Sequence, residues 1–173
     1  EELNKHWLHA RDQLIGLSPA MKRIKELINR IAPTLAYVLI LGENGTGKGL
    51  IAKEIHLQSD RNNKPFIHID LGSLPESLFE SELFGHARGA FTGATEARKG
   101  LLEEANRGTL FMDEISNLPM DMQSRLLRVL QENEVRPVGS NQTRKIDVRI
   151  IAATNKNLER AVEDETFRGD LYY

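Results

Sequence analysis

The chain has 173 residues with 23 Lys and Arg against 25 Asp and Glu, a formal net charge of −2, and no cysteine. This length allows one domain with a proper core; the missing cysteine excludes a disulfide framework and a Cys-based zinc site, and the balanced charge gives no global footprint for nucleic acid. The start, Glu1-Glu2-Leu3-Asn4-Lys5-His6, has no signal-peptide pattern and the longest apolar runs fall far short of a membrane span, so the expectation is a soluble cytoplasmic protein with no membrane partner.

Residues 1–13 are polar apart from Trp7 and Leu8 and read as a linker or the end of a preceding domain. Ser18-Pro19 has the form of an N-cap followed by proline at the first helical position. Met21, Ile24, Leu27, Ile28 and Ile31 follow at three-and-four spacing, one apolar helix face, with Pro33 just past its end.

The apolar run Tyr37-Val38-Leu39-Ile40-Leu41 predicts a strand, and Leu50 to His56 predicts a helix. Between them lie Gly42, Glu43, Asn44, Gly45, Thr46, Gly47, Lys48 and Gly49. Strand, Gly-rich turn and helix form the context that a phosphate-binding loop needs. Glycines let the backbone take positive φ and approach a ligand closely. Their N–H groups and the helix N-terminus point at one phosphate chain, and Lys48 reaches the outer phosphates. The plain alternative is a turn with an incidental lysine; spacing, lysine and flanks together argue against it. The position after the lysine usually carries Ser or Thr to ligate magnesium, and here it is Gly49, so the metal must be held by water or other residues, or weakly.

Asp60 to Pro65 is turn-rich, Phe66 to Asp70 reads as a buried strand, and His68 on it as a packed or edge histidine. Leu74 to Phe84 looks helical. Gly89, Ala90, Phe91, Thr92, Gly93 and Ala94 follow, with two glycines bracketing an aromatic in an otherwise helical region. A Gly-flanked Phe is a poor helix interior. It suggests either a loop that exposes an aromatic tip or a surface loop whose Phe91 folds back on the core; the residues alone weigh these equally.

Gly108 to Glu114 predicts a strand ending in two carboxylates, Asp113 and Glu114. Ligands of open α/β sheets sit at the carboxyl ends of the strands, which brings the pair near the 42–49 loop. Asp113 there holds magnesium, directly or through water, and Glu114 orients or deprotonates an attacking water. The competing reading is an acidic helix cap. Pro119 to Glu132 is a helix with Met122, Leu126, Leu127 and Leu130 on one face. Glu134 to Asp147 reads as a hairpin or excursion, Val148 to Asn155 as a core strand with Asn155 at the catalytic edge, and Asn157 as the start of a last helix.

Taken together, these motifs resemble the central AAA+ ATPase domain of sigma-54-dependent transcriptional activators, from about Leu14 to Tyr173. Gly-Ala-Phe-Thr-Gly-Ala at 89–94, after Glu82-Leu83-Phe84-Gly85-His86, is the most specific element. Residues 42–49, 108–114 and 152–155 are similar to the family's Walker A, Walker B and first sensor regions; Phe167-Arg168-Gly169-Asp170-Leu171 resembles its arginine-finger segment, and Leu14-Ile15-Gly16 its adenine-pocket segment. The resemblance implies a three-layer αβα P-loop core with a mostly parallel sheet. It further implies ATP and Mg2+ as cofactors, a homo-oligomeric ring, usually hexameric, and ATP bound between subunits. The loop at Phe91 and Thr92 would contact the sigma-54 RNA polymerase holoenzyme, and hydrolysis would drive it from closed to open promoter complex. The helical lid, a second arginine finger and any DNA-binding domain would lie beyond Tyr173. Two departures stand out. Gly49 replaces the family's common Glu. Asp70 replaces an Asn that holds the Walker B Glu between turnovers, and a carboxylate facing Glu114 would repel it unless one is protonated. The alternatives are another AAA+ remodelling ATPase, or a nucleotide-gated binding module with little turnover.

Overall fold

In the computed structural model, residues 14–173 are described; the expectation for residues 1–13 lies outside them. Helix α1 (Pro19–Ile31) begins as predicted, with the Ser18 hydroxyl accepting from the Met21 N–H at 3.2 Å and proline in the first turn. Its apolar face is narrower than the spacing suggests: Ile28 is buried, Met21, Ile24 and Ile31 are half-buried, and Leu27 is 54% exposed. Leu27 and the buried Ile28, consecutive in sequence, diverge by about 100° around the helix, so the two are not covered together.

Four parallel strands form the central sheet: β1 (Val38–Leu41), β2 (Phe66–Asp70), β5 (Thr109–Asp113) and β8 (Arg149–Thr154), in the spatial order β1-β8-β5-β2. Leu41 registers with Thr154 and Asp70 with Asp113, so all four carboxyl ends lie along one edge. Alternation splits each strand between two helical layers. Phe111, Ile151, Ala153 and Ile40 pack with Ile28 of α1 and with Ala52 and Ile55 of α2 (Lys48–Leu57). Leu110, Met112, Ile150 and Ile69 face α3 (Glu76–Phe84), α4 (Leu101–Glu104), α5 (Met120–Glu132) and α6 (Leu158–Glu163). Each fully buried Leu, Ile or Phe stabilises the layers by about 1.5–3 kcal/mol. This is the three-layer αβα arrangement. The chain ends in α7 (Gly169–Tyr172).

Three local details differ from expectation. The 85–94 region is not helical on both sides: β3 (Gly85–His86) pairs antiparallel with β4 (Arg98–Lys99), and the loop rises between them. The face of α5 that enters the core is Gln123, Leu126 and Val129, with Met122, Leu127 and Leu130 at its margins. The 134–147 excursion contains a short ladder between β6 (Glu134–Val135) and β7 (Arg144–Lys145), as the turn residues foretold. His68 sits on the edge strand β2 and stacks on Phe111 with centroids 4.9 Å apart.

Among the described residues, no helix is long and apolar enough to cross a membrane.

Candidate nucleotide site and partner loop

Glycine conformations shape the 42–49 loop. Gly45 and Gly47 take φ of +77° and +86°, a region that β-carbon sterics close to most residues. Gly47 caps α2, so the helix starts at Lys48 with its first N–H groups and the positive end of its dipole at the loop. Lys48, only 7% exposed, donates to the carbonyls of Gly42 at 3.1 Å and Glu43 at 3.2 Å. The Thr46 hydroxyl donates to the Glu43 carbonyl at 2.7 Å, and the Gly42 N–H to the Thr154 carbonyl at 3.2 Å.

Parallel pairing brings the carboxylates to this loop. Asp113 ends β5, and its Oδ1 accepts from the Glu114 N–H at 3.0 Å. Glu114 takes φ 54° and ψ 48°, a left-handed conformation that a non-glycine residue adopts at some energetic cost. That turn sends its carboxylate back over the sheet edge, with Oε1 3.7 Å from Lys48 Nζ. Oε2 lies 3.4 Å from the Thr154 hydroxyl and 3.4 Å from the Asn155 N–H. Asn155 also donates from Nδ2 to Asn44 Oδ1 at 3.0 Å, tying the end of β8 to the tip of the loop. Glu114 does cap the single-turn helix Ile115–Asn117, but without a side-chain hydrogen bond to it, so its carboxylate serves the cleft instead.

Asp70 does not engage Glu114 in the way that the sequence suggests. Its Oδ1 accepts from the Gly72 N–H at 2.8 Å, closing its own turn, and Gly72 stands between the two side chains. Gly49 faces Phe111, and a β-carbon there would sit 3.7 Å from the ring in ordinary contact; nothing steric at this position demands glycine. Ile15 is 81% exposed, and Gly16 is tied to α1 through Lys25 Nζ at 3.4 Å.

Arg168 is the N-cap of α7, and its side chain reaches across to α5. It forms a two-pronged pair with Asp170, Nε to Oδ1 at 2.9 Å and Nη2 to Oδ2 at 2.7 Å, and donates to Ser124 Oγ at 3.0 Å. The hydrogen bonds hold the Asp170 carboxyl below its usual range and raise the guanidinium. Asp164, four residues before Arg168, pairs with Arg160 at 3.6 Å.

The 89–94 loop is closed by its own backbone: the Gly89 N–H donates to the Ala94 carbonyl at 2.8 Å and the Ala94 N–H to the Phe91 carbonyl at 3.0 Å. Gly89 and Gly93 take φ of +77° and +101° with open space around them. Phe91 satisfies both of its sequence readings. It remains 48% exposed, yet its ring meets His86 edge-on at 5.0 Å. Thr92 is exposed and Ala94 is buried. The base of the loop is anchored by the Ala87 N–H to the Val138 carbonyl and the Val138 N–H to the Gly85 carbonyl, both at 2.9 Å.

Sequence reasoning missed Gln123 and Thr154, whose hydroxyl also donates to Ser116 Oγ at 2.9 Å. Thr154 stood beside Asn155 at a strand end, which was the available signal. Gln123 had none, because an amide on a helix face usually reads as solvated.

The architecture and these motifs agree with comparisons to known proteins. The chain is 54% identical over 172 residues to a signal-transduction and transcriptional-control protein of Clostridium beijerinckii, covering 99% of this chain and 27% of that protein. It is 52% identical to the Nif-specific regulatory protein of Azotobacter vinelandii, covering 94% of this chain and 31% of that one. The crystal structure of NtrX from Brucella abortus in complex with ATP superposes with a TM-score of 0.84 at 40% identity, covering 92% of this chain and 36% of that one. The chain thus spans about a third of the length of these relatives. The family model described as the Sigma-54 interaction domain matches residues 14–173, every described residue of the fold, and the chain belongs to that family.

Proposed function

We propose that this chain is the ATP-hydrolysing AAA+ module of a cytoplasmic transcriptional activator, which remodels sigma-54 RNA polymerase from the closed to the open promoter complex. The observation that carries the reading is the convergence, at one sheet edge, of the 42–49 loop, Lys48 and Glu114, in a domain that also carries the Gly-Ala-Phe-Thr-Gly-Ala loop on its own two-stranded ladder. ATP as the nucleotide is supported by the ATP complex of the Brucella abortus relative.

In this mechanism the backbone N–H groups of residues 44–49 and the Lys48 ammonium bind the phosphates, and Ile15 and Gly16 border the base. Lys48 gives up its carbonyl partners for the phosphate oxygens, a charge-assisted exchange that favours the triphosphate. Asp113 is the residue to hold Mg2+, which supplies charge neutralisation for the phosphoryl group when bound. Glu114 accepts the proton of the attacking water, and Thr154 and the Asn155 N–H orient its carboxylate. Asn155, bonded to Asn44, reports the state of the loop to β8. Arg168 serves the ATP of a neighbouring subunit in a homo-oligomeric, hexameric ring, after leaving Asp170; an arginine supplied in trans stabilises transition-state charge strongly. Residues 89–94 contact sigma-54. DNA would be bound through a domain outside this chain.

A second reading, a nucleotide-gated binding module with little turnover, is favoured by one observation: Gly49 offers no hydroxyl to the metal. Phosphate release by the full-length protein, measured with and without sigma-54 holoenzyme, separates the two. Multiple turnovers that depend on Glu114 support the ATPase; tight ATP binding without release supports the module.

A further inference from the structure

Helix α5 carries an amide where its pattern calls for an apolar side chain. Gln123, Leu126 and Val129 form the row that enters the core, and Gln123 is fully buried at 0% exposure. Burying an amide is unfavourable unless its hydrogen bonds are made, and here three are. Nε2 donates to the Leu118 carbonyl at 2.7 Å and to the Thr166 carbonyl at 3.1 Å, while Oε1 accepts from the Arg168 N–H at 2.8 Å. Leu118 closes the single helical turn that follows Glu114, through its N–H to the Ile115 carbonyl at 3.1 Å. Thr166 and Arg168 flank Phe167, which is itself in the core. One side chain therefore joins the segment after the hydrolytic carboxylate to the backbone that carries Arg168. The next residue of the helix, Ser124, holds the Arg168 guanidinium. A leucine would fill the same space, and departures from a local pattern concentrate where a site needs them.

We infer that Gln123 is a positioning residue for Arg168: it fixes the arginine's backbone to the turn after Glu114, so that a subunit's own hydrolytic end and the arginine it offers to its neighbour move as one unit. This inference rests on the trans role proposed for Arg168. A displacement of about 1 Å at a reacting centre costs on the order of 100-fold in rate, so loss of this tie should be visible in turnover rather than in nucleotide binding.

The test uses the full-length oligomer carrying Gln123→Met, which keeps the volume and removes all three hydrogen bonds. The expected result is a kcat lower by about 10- to 100-fold with nucleotide affinity and KM within about two-fold, the pattern of an interaction made in the transition state. Mixing these subunits with Lys48→Ala subunits should then restore activity above the sum of the two. The Gln123→Met subunit retains a working phosphate loop, and the Lys48→Ala subunit supplies a well-placed Arg168. A general loss of fold would not be complemented in this way. The parallel mixture is Arg168→Ala with Lys48→Ala. If that mixture recovers activity and the Gln123→Met mixture does not, the inference is overturned while the trans role of Arg168 stands. If the Arg168→Ala mixture stays silent, both fall. Should thermal melting show Gln123→Met to be unfolded, Gln123→Leu, which is apolar and removes the same three hydrogen bonds, takes its place; wild-type kcat in that variant overturns the inference.

Discussion

The carboxylate of Glu114 rests 3.7 Å from the ammonium of Lys48, and both side chains are largely shielded from water. A strand-end acid and a loop cation, distant in sequence, thus meet as an ion pair at the edge of the sheet. Their tasks differ, and substitution should separate them. Lys48→Ala removes the loop's cation and should weaken ATP binding at least tenfold, read by calorimetry. Glu114→Gln keeps the shape and loses the basicity. ATP should still bind, and turnover should fall by roughly 100-fold or more, read by phosphate release. Normal turnover in Glu114→Gln would move the general base elsewhere.

Gly49 has room for a side chain, since a β-carbon would meet only the Phe111 ring at 3.7 Å. Gly49→Ser should therefore fold normally and gain a helix position, because glycine is a weak helix former by about 0.5–1 kcal/mol. A hydroxyl next to Lys48 adds an oxygen ligand of the kind that magnesium prefers. The expected outcome is a lower magnesium concentration for half-maximal ATP hydrolysis with an unchanged melting temperature or a slightly higher one. An unchanged magnesium dependence would show that the metal is held away from this helix turn.

Phe91 and Thr92 sit on a loop braced by its own backbone hydrogen bonds, so truncating either side chain leaves the scaffold in place. Phe91→Ala and Thr92→Ala should keep basal ATP hydrolysis within about three-fold, since neither touches the phosphate loop, and should abolish capture of sigma-54 in the presence of ADP and a transition-state mimic of phosphate. Co-migration on a native gel reads this directly. Capture that survives both substitutions, or that ignores nucleotide, would make the loop an ordinary surface turn.

Arg149, 2% exposed at the start of β8, donates to the carbonyls of Ala32 at 2.7 Å, Ile31 at 2.9 Å and Ala36 at 3.3 Å. Ile31 and Ala32 lie at the C-terminus of α1, where helix carbonyls lack partners and a cation is favoured. Arg149→Met should strand the buried Ala32 carbonyl, whereas Ile31 keeps its bonds from Thr34, and should destabilise the domain by about 1–3 kcal/mol, measured by urea unfolding. A loss below 1 kcal/mol would mean that water replaces the guanidinium.

Acid should loosen the fold through His56. Its Nδ1 lies 3.0 Å from Thr109 Oγ1, and burial, reinforced by the Arg149 charge, lowers its pKa from 6.5 to about 4. The unfolded chain takes up a proton near pH 6.5 and the folded chain resists until about pH 4, so stability is full above pH 6.5 and declines as the pH falls through that window. The decline approaches about 3 kcal/mol if the shift is fully expressed. His56→Gln should flatten the unfolding free energy between pH 7 and pH 4.5; an equal slope in that variant would assign the acid sensitivity to other groups.

Local chemistry determined much of this protein in advance. The Ser18-Pro19 cap, the glycines of the phosphate loop, the strand that ends in Asp113 and Glu114, and the Gly-bracketed Phe91 follow from backbone sterics, capping and periodicity, which act over a few residues. Tertiary structure decided what those residues meet. Leu27 is exposed although it belongs to the stripe of α1, because a helix face is covered only as far as the sheet behind it extends. Asp70 turns to Gly72 rather than to Glu114, because a nearby backbone N–H satisfies a carboxylate where a like charge would repel it. Gln123 lies inside the core and bonds to Leu118, Thr166 and Arg168, which no periodicity could reveal. Its partners are brought to it by sheet order and helix packing, and a hydrogen bond depends on the separation of atoms in space, not on their spacing along the chain.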